Sequence, residues 1–251
     1  MINRLLHNDM AKPRKKPVKQ EKQPQNNQHA SVKRQQFHVE FLNPAQKMAW
    51  AAFDQHDILF LLGAPGSGKS HLGCAFAISE VLAKRKQKIV ITRPTVEAGG
   101  MGLGFLPGDA DQKLHPYMLP LFDCMDRCLG AFSPQRELIS KSVEIAPLQF
   151  MRGRTFHDAV CILDEAQNCN YAQLKLFLTR FGQNSKVIIT GDPMQSDLPV
   201  KDRAMMQVVD KLSSLKGVGI IHFKANSIVR HPLIAGILEK LEGDENGSHS
   251  S

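Results

Sequence analysis

Short apolar runs recur along the chain at 58–62, 89–92, 143–146, 160–163, 187–190 and 218–223, and polar or amphipathic stretches separate them. Such runs are too short for helices and do not alternate, which suits strands buried on both faces of a sheet. Helices are predicted over 71–84, 109–129 and 171–181, the last repeating Leu174, Leu178 and Phe181, with a further short one starting at Pro232. Strands interleaved with helices imply an α/β domain whose mostly parallel sheet carries helices on both faces. The segment 94–109 breaks the pattern: it holds Gly99, Gly100, Gly102, Gly104 and Gly108, and loops of that length are usually functional.

Composition divides the chain. Residues 1–38 are rich in Lys, Gln, Asn and Pro and nearly lack large apolar groups after Leu6, so a disordered tail is expected there, with a folded domain over 39–242 and a second tail over 243–251. The net charge of +8 follows the same division, since nine Lys/Arg against Asp9 and Glu21 leave +7 on residues 1–36. Basicity therefore belongs to the tail. A flexible basic arm can raise affinity for phosphate backbones in a salt-dependent way, and a merely solubilising extension accounts for the charge equally well. The five cysteines show no paired spacing, so reduced thiols are expected in place of a disulfide framework or zinc ribbon. No apolar run approaches the roughly 20 residues of a membrane span, and no signal-peptide pattern opens the chain, which points to the cytoplasm and away from membranes.

The strongest chemical signal is GAPGSGKS, Gly63, Ala64, Pro65, Gly66, Ser67, Gly68, Lys69 and Ser70, set between the run ILFLL and a helix that continues with His71. Glycines at that spacing let backbone N–H groups curl round phosphates, Lys69 can reach the β and γ oxygens, and Ser70 can ligate magnesium. A second acidic strand end is then required, and VCILDE supplies Asp164 as the magnesium partner and Glu165 as acceptor of a proton from the attacking water. The following strand leads into TGDPMQ, where Gln195 is placed to sense the γ-phosphate or orient that water. Upstream, LNPAQKMAW carries Gln46, whose amide has the donor and acceptor needed to read adenine; taken alone it reads as an exposed helix residue. ATP and Mg2+ are the ligands these groups fit.

From 42 to 242 the chain resembles the PhoH family of bacterial and phage ATPases, through GAPGSGKS, ITRPTVEAGGMGLGFLPGD, IAPLQFMRGRTFHDA, ILDEAQN, FLTRFGQNSKVIITGDPMQSDLP and VRHPLI. The family is similar to the ATPase core of superfamily 1 helicases. The resemblance implies a single RecA-like P-loop NTPase domain, an adenine-reading Gln46, a sensing Gln195 and a γ-phosphate-contacting Arg230. A helicase sets two such cores face to face, whereas 39–242 holds one, so an arginine finger comes from Arg230 or from a neighbouring subunit, with Arg152 and Arg154 as candidates. A homo-oligomeric ring, six-membered by analogy, is the expected assembly.

Where helicases grip a strand, this chain has Thr92, Arg93, Thr95 and Phe105, candidates for phosphate contact and base stacking. The expected activity is ATP hydrolysis coupled to single-stranded RNA, or less readily DNA, with helicase-like action. The alternative is a nucleotide-dependent switch that recruits a protein partner such as a nuclease. Cys124 and Cys128, one helical turn apart with His115 upstream, fit core packing better than a metal site, and His157 and His222 fit satisfied strand positions.

Overall fold

In a computed structural model of the chain, residues 37, 39–94, 110–130, 132–224 and the single positions 233, 237 and 240 are described, with side chains from 115 onward in the helix that begins at Ala110. Six strands form one sheet: β1 (Ile58–Gly63), β2 (Lys88–Thr92), β3 (Val143–Ile145), β4 (Ala159–Leu163), β5 (Lys186–Gly191) and β6 (Val218–Phe223). The spatial order is β3-β2-β4-β5-β1-β6, and every pairing is parallel, which sharpens the expectation of a mostly parallel sheet. The helices are α1 (Pro44–Gln55), α2 (Lys69–Leu82), α3 (Ala110–Leu129), α4 (Arg136–Ser142), α5 (Tyr171–Leu178) and α6 (Met205–Leu212).

The period of two along each strand sorts the core into two layers. Leu59, Leu61, Ile89, Ile91, Val160 and Ile162 face a layer built with Phe53 of α1, Phe76 of α2, Met118 of α3 and Ile139 of α4. Phe60, Leu62, Val90, Cys161, Leu163 and Ile189 face the opposite layer, with Leu174 and Phe177 of α5 and Val208 and Val209 of α6. Both faces are covered, so a charged residue has no place on the central strands, and this is why they read as unbroken apolar runs. Phe53 and Phe76 stack with centroids 4.5 Å apart and planes 2° from parallel, joining α1 to α2. Lys186, at the start of β5, donates to the carbonyls of Phe53 and His56 at 2.6 and 2.8 Å and fixes the C-terminal end of α1.

Two expectations are adjusted, and the helix predicted over 109–129 is found with two prolines inside it. The P-loop helix begins at Lys69, two residues before the predicted start, because the loop feeds it directly through Gly68 at φ +84°. The helix predicted over 171–181 stops at Leu178, where Thr179 turns its hydroxyl back onto the Lys175 and Leu176 carbonyls. Helix α3 runs on through Pro116 and Pro120, against the usual rule for helix interiors. The helix expected from Pro232, the Gly-rich segment after Pro94, and the tails lie almost wholly outside the described residues.

Candidate functional site

Strand order brings the chemistry together. β5 lies between β1 and β4, so the loop after β1, the acids after β4 and the TGD turn after β5 emerge side by side at the carboxyl edge of the sheet. A cavity of about 1040 Å3 opens there, large enough for a nucleoside triphosphate. Phe37, Val39, Leu42 and Gln46, the phosphate loop, and Asp164, Glu165, Thr190 and Gln195 line it.

The loop has the geometry its glycines require. A Cβ on Gly63, at φ +148°, would lie 2.4 Å from the Phe223 carbonyl oxygen, and one on Gly68 would lie 2.8 Å from Gln46 Nε2. Lys69 Nζ donates to the Gly63 and Ala64 carbonyls at 2.7 and 2.9 Å, and Ser67 Oγ donates to the Ala64 carbonyl at 2.8 Å. The ammonium is thereby held against its own loop. Ser70, at the start of α2, donates to Asp164 Oδ1 at 2.7 Å. Thr190 Oγ1 donates to the same oxygen. A hydroxyl and a carboxylate meeting at a helix N-terminus form a hard oxygen set, the kind magnesium prefers, and Asp164 is only 2 % exposed.

Glu165 stands beside it in the left-handed region, at φ +56°, an uncommon place for a residue with a side chain. Gln167 Nε2 donates to Glu165 Oε2 at 2.6 Å, while Gln167 Oε1 accepts from the Asp192 backbone at 3.1 Å. Gln167 thus bridges the acid pair and the TGD turn, a role missed in the sequence although it ends the DEAQ motif. Gln195 is exposed at the cavity rim and also borders a second cavity of about 550 Å3 with Met194, Met206 and His222.

Gln46 corrects the plain reading of an exposed helix residue: it is 4 % exposed. Its Oε1 accepts from Leu42 N at 2.8 Å and its Nε2 donates to the Ser67 carbonyl at 3.3 Å, so it clamps the α1 entry to the phosphate loop. Asn43 caps α1, its side chain accepting from Gln46 N at 3.0 Å, and Pro44 opens the helix. His71 lines the cavity, and burial, helped by the charge of Arg127, holds its pKa below the usual imidazole value.

The expected nucleic-acid contacts divide. Thr92 is fully buried, and its hydroxyl has no hydrogen-bond partner among the described residues. Arg93 turns inward onto the acids, with Nε 3.3 Å from Asp164 Oδ2 and Nη2 3.2 Å from Glu165 Oε1. Thr95, Phe105 and Arg230 lie outside the described residues. Arg152 and Arg154 are exposed and do not line the cavity; Arg154 pairs with Glu144 and lies over the Phe156 ring. Burial of Glu144 works against its charged form, but the ion pairs with Arg154 and Lys88 outweigh it and hold that carboxyl below the usual range.

Helix α3 supplies a wall of the cavity that sequence reading treated as core, namely Pro120, Cys124, Arg127 and Cys128. Cys124 is buried as expected, and its Sγ accepts from Arg127 Nη2 at 3.3 Å. His157 accepts from Gln183 N through Nδ1 at 3.0 Å, the satisfied histidine anticipated for that position.

An all-parallel sheet with a glycine-rich phosphate loop after β1 and a buried aspartate against its serine defines a P-loop NTPase core. The fold is similar to that of the large terminase of a thermophilic bacteriophage, at TM-score 0.54 and 11 % identity over 80 % of this chain and 50 % of that one, a likeness of fold alone. The chain belongs to the PhoH-like protein family, whose model matches residues 38–242. It is 45 % identical over 190 residues to the PhoH-like protein of Bacillus subtilis, covering 75 % of this chain and 59 % of that protein. To the PhoH-like protein of Synechocystis it is 41 % identical over 204 residues, covering 81 % and 62 %. The chain therefore spans about three-fifths of the length of these curated relatives. Among the described residues no helix is long and apolar enough to cross a membrane.

Proposed function

We propose that the chain is a magnesium-dependent ATPase that couples hydrolysis to a single-stranded nucleic acid, RNA before DNA, as a homo-oligomeric ring. The observation that carries the ATPase reading is the 2.7 Å hydrogen bond from Ser70 to Asp164, which joins the phosphate loop to an acid 94 positions away beneath a cavity of nucleotide size. Lys69 binds the terminal phosphates, Ser70 and Asp164 hold the metal, Glu165 accepts the proton of the attacking water, and Gln195 orients that water. Magnesium, when bound, draws charge from the phosphate oxygens and so eases attack. Gln46, a lining residue of the cavity, reads adenine. An arginine reaches the γ-phosphate from Arg230 or from a neighbouring copy through Arg152 or Arg154.

Hydrolysis is to be measured with and without RNA, single-stranded DNA and duplexes, alongside the mass in solution and a Lys69→Ala control. Turnover that is lost in the control and stimulated by RNA in an oligomer supports this reading. Turnover indifferent to every polymer, but raised by a protein partner such as a nuclease, identifies a nucleotide switch instead.

A further inference from the structure

The two acids of the candidate site are already matched by a cation from within the chain. β2 and β4 pair in parallel with Thr92 opposite Leu163, and Asp164 N donates to the Thr92 carbonyl at 3.0 Å. The next residues, Arg93 and Asp164, therefore leave the sheet side by side. The Arg93 guanidinium then spans three acceptors: Asp164 Oδ2 at 3.3 Å, Glu165 Oε1 at 3.2 Å and the Tyr117 carbonyl of α3 at 3.0 Å. Its side chain is 19 % exposed, so water screens these pairs only in part. With Ser70 and Thr190 donating to Asp164 Oδ1 and Gln167 to Glu165 Oε2, each of the four carboxylate oxygens has a hydrogen-bond donor or, at Asp164 Oδ2, an ion-pair partner.

We propose that Arg93 is a positioning residue, an internal counter-ion that holds Asp164 and Glu165 in place before the metal arrives and offsets, from the Asp164 Oδ2 side, the negative charge that a divalent cation meets from the Ser70 side. The inference rests on the nucleotide-site reading above. Arg93 with the two acids carries a net charge of −1; without the guanidinium the pair carries −2 and attracts a divalent ion more strongly while repelling itself. Lysine keeps the charge but lacks the planar fork that reaches both acids and a carbonyl at once. A residue that only braced the fold would have the opposite signature, because its loss would weaken metal and nucleotide binding together.

The test uses the full chain as wild type, Arg93→Gln and Arg93→Lys, read by thermal unfolding across a magnesium series without nucleotide and by binding of a fluorescent ATP analogue across the same series. In R93Q the magnesium midpoint for analogue binding is expected to fall at least about fivefold, and magnesium alone is expected to raise its melting temperature more than that of wild type. R93K is expected to stay within about twofold of the wild-type midpoint, since one charge remains. An R93Q midpoint equal to or above that of wild type overturns the proposal. Should R93Q fold only when magnesium is present, the metal has replaced the lost counter-ion and the proposal stands; unfolding at every magnesium level overturns it. Failure of wild type to bind the analogue overturns the nucleotide-site reading instead, and the melting response to magnesium alone tells the two failures apart.

Discussion

Gln46 packs over Gly68 closely enough that a β-carbon on that glycine would lie 2.8 Å from the Gln46 amide nitrogen. The glycine is required twice, by its left-handed φ of +84° and by this approach, and the glutamine reaches the loop only because the glycine is bare. The entry to α1 and the phosphate loop are therefore joined where both line the cavity.

Replacing Gln46 with Ala removes the bonds to Leu42 N and to the Ser67 carbonyl and leaves both partners short of one contact. ATP affinity is expected to fall about tenfold, and the preference for ATP over GTP to shrink, in competition binding against a fluorescent nucleotide. A variant that binds both nucleotides as wild type does would show that the amide neither shapes the loop nor reads the base.

Glu165→Gln keeps the shape of the side chain and removes the proton acceptor. Hydrolysis is expected to drop about a hundredfold or more while the ATP analogue still binds. Single-turnover kinetics separate the two, and unchanged turnover with tight binding would remove Glu165 from the role of base.

Cys124 differs from the other thiols. The hydrogen bond from Cys74, then the donor and charge of Arg127, outweigh burial and bring its pKa down to about 7, while burial first pushes Cys128, Cys161 and Cys169 up to about 12. The reactive species is the thiolate. Alkylation by iodoacetamide, followed by peptide mass spectrometry, is therefore expected to rise through about pH 7 at Cys124 and to stay low at those three up to about pH 9. Because Cys124 lines the nucleotide cavity, bound ATP with magnesium is expected to slow its labelling. A uniform labelling pattern across the cysteines would contradict the assignment.

Gly63→Ala forces a methyl group to within 2.4 Å of the Phe223 carbonyl oxygen in a backbone conformation that side chains rarely adopt. The expected cost is about 2–3 kcal/mol of stability, since β1 and β6 cannot separate without breaking their ladder. Chemical denaturation measures it, and a loss below about 0.5 kcal/mol would mean that the strand ends relax freely.

The phosphate loop was legible because its chemistry is contiguous: eight neighbouring residues set their own backbone path, and no distant partner is needed to recognise them. Asp164 and Glu165 were legible because a strand buried on both faces reads as an apolar run, and acids at its end stand out. Gln46 was not settled by its local pattern, since burial depends on the loop 21 residues away against which it packs. The inward turn of Arg93 onto the acids was not legible for a related reason. Its neighbours in sequence suggest a polymer contact, whereas the parallel register of β2 and β4 puts it against the acids.

By itself the sequence determined the six strands and several of the helices, and which side chains suit phosphate chemistry, because helix periodicity, strand burial and glycine-rich turns are written over a few adjacent positions. The tertiary structure alone decided that β5 separates β1 from β4, that Gln167 and Arg93 take the remaining carboxylate oxygens, and that α3 walls the cavity with Cys124 and Arg127. Most of those relationships join residues tens of positions apart, and the geometry of sheet register and helix packing sets them, which local preference along the chain does not encode.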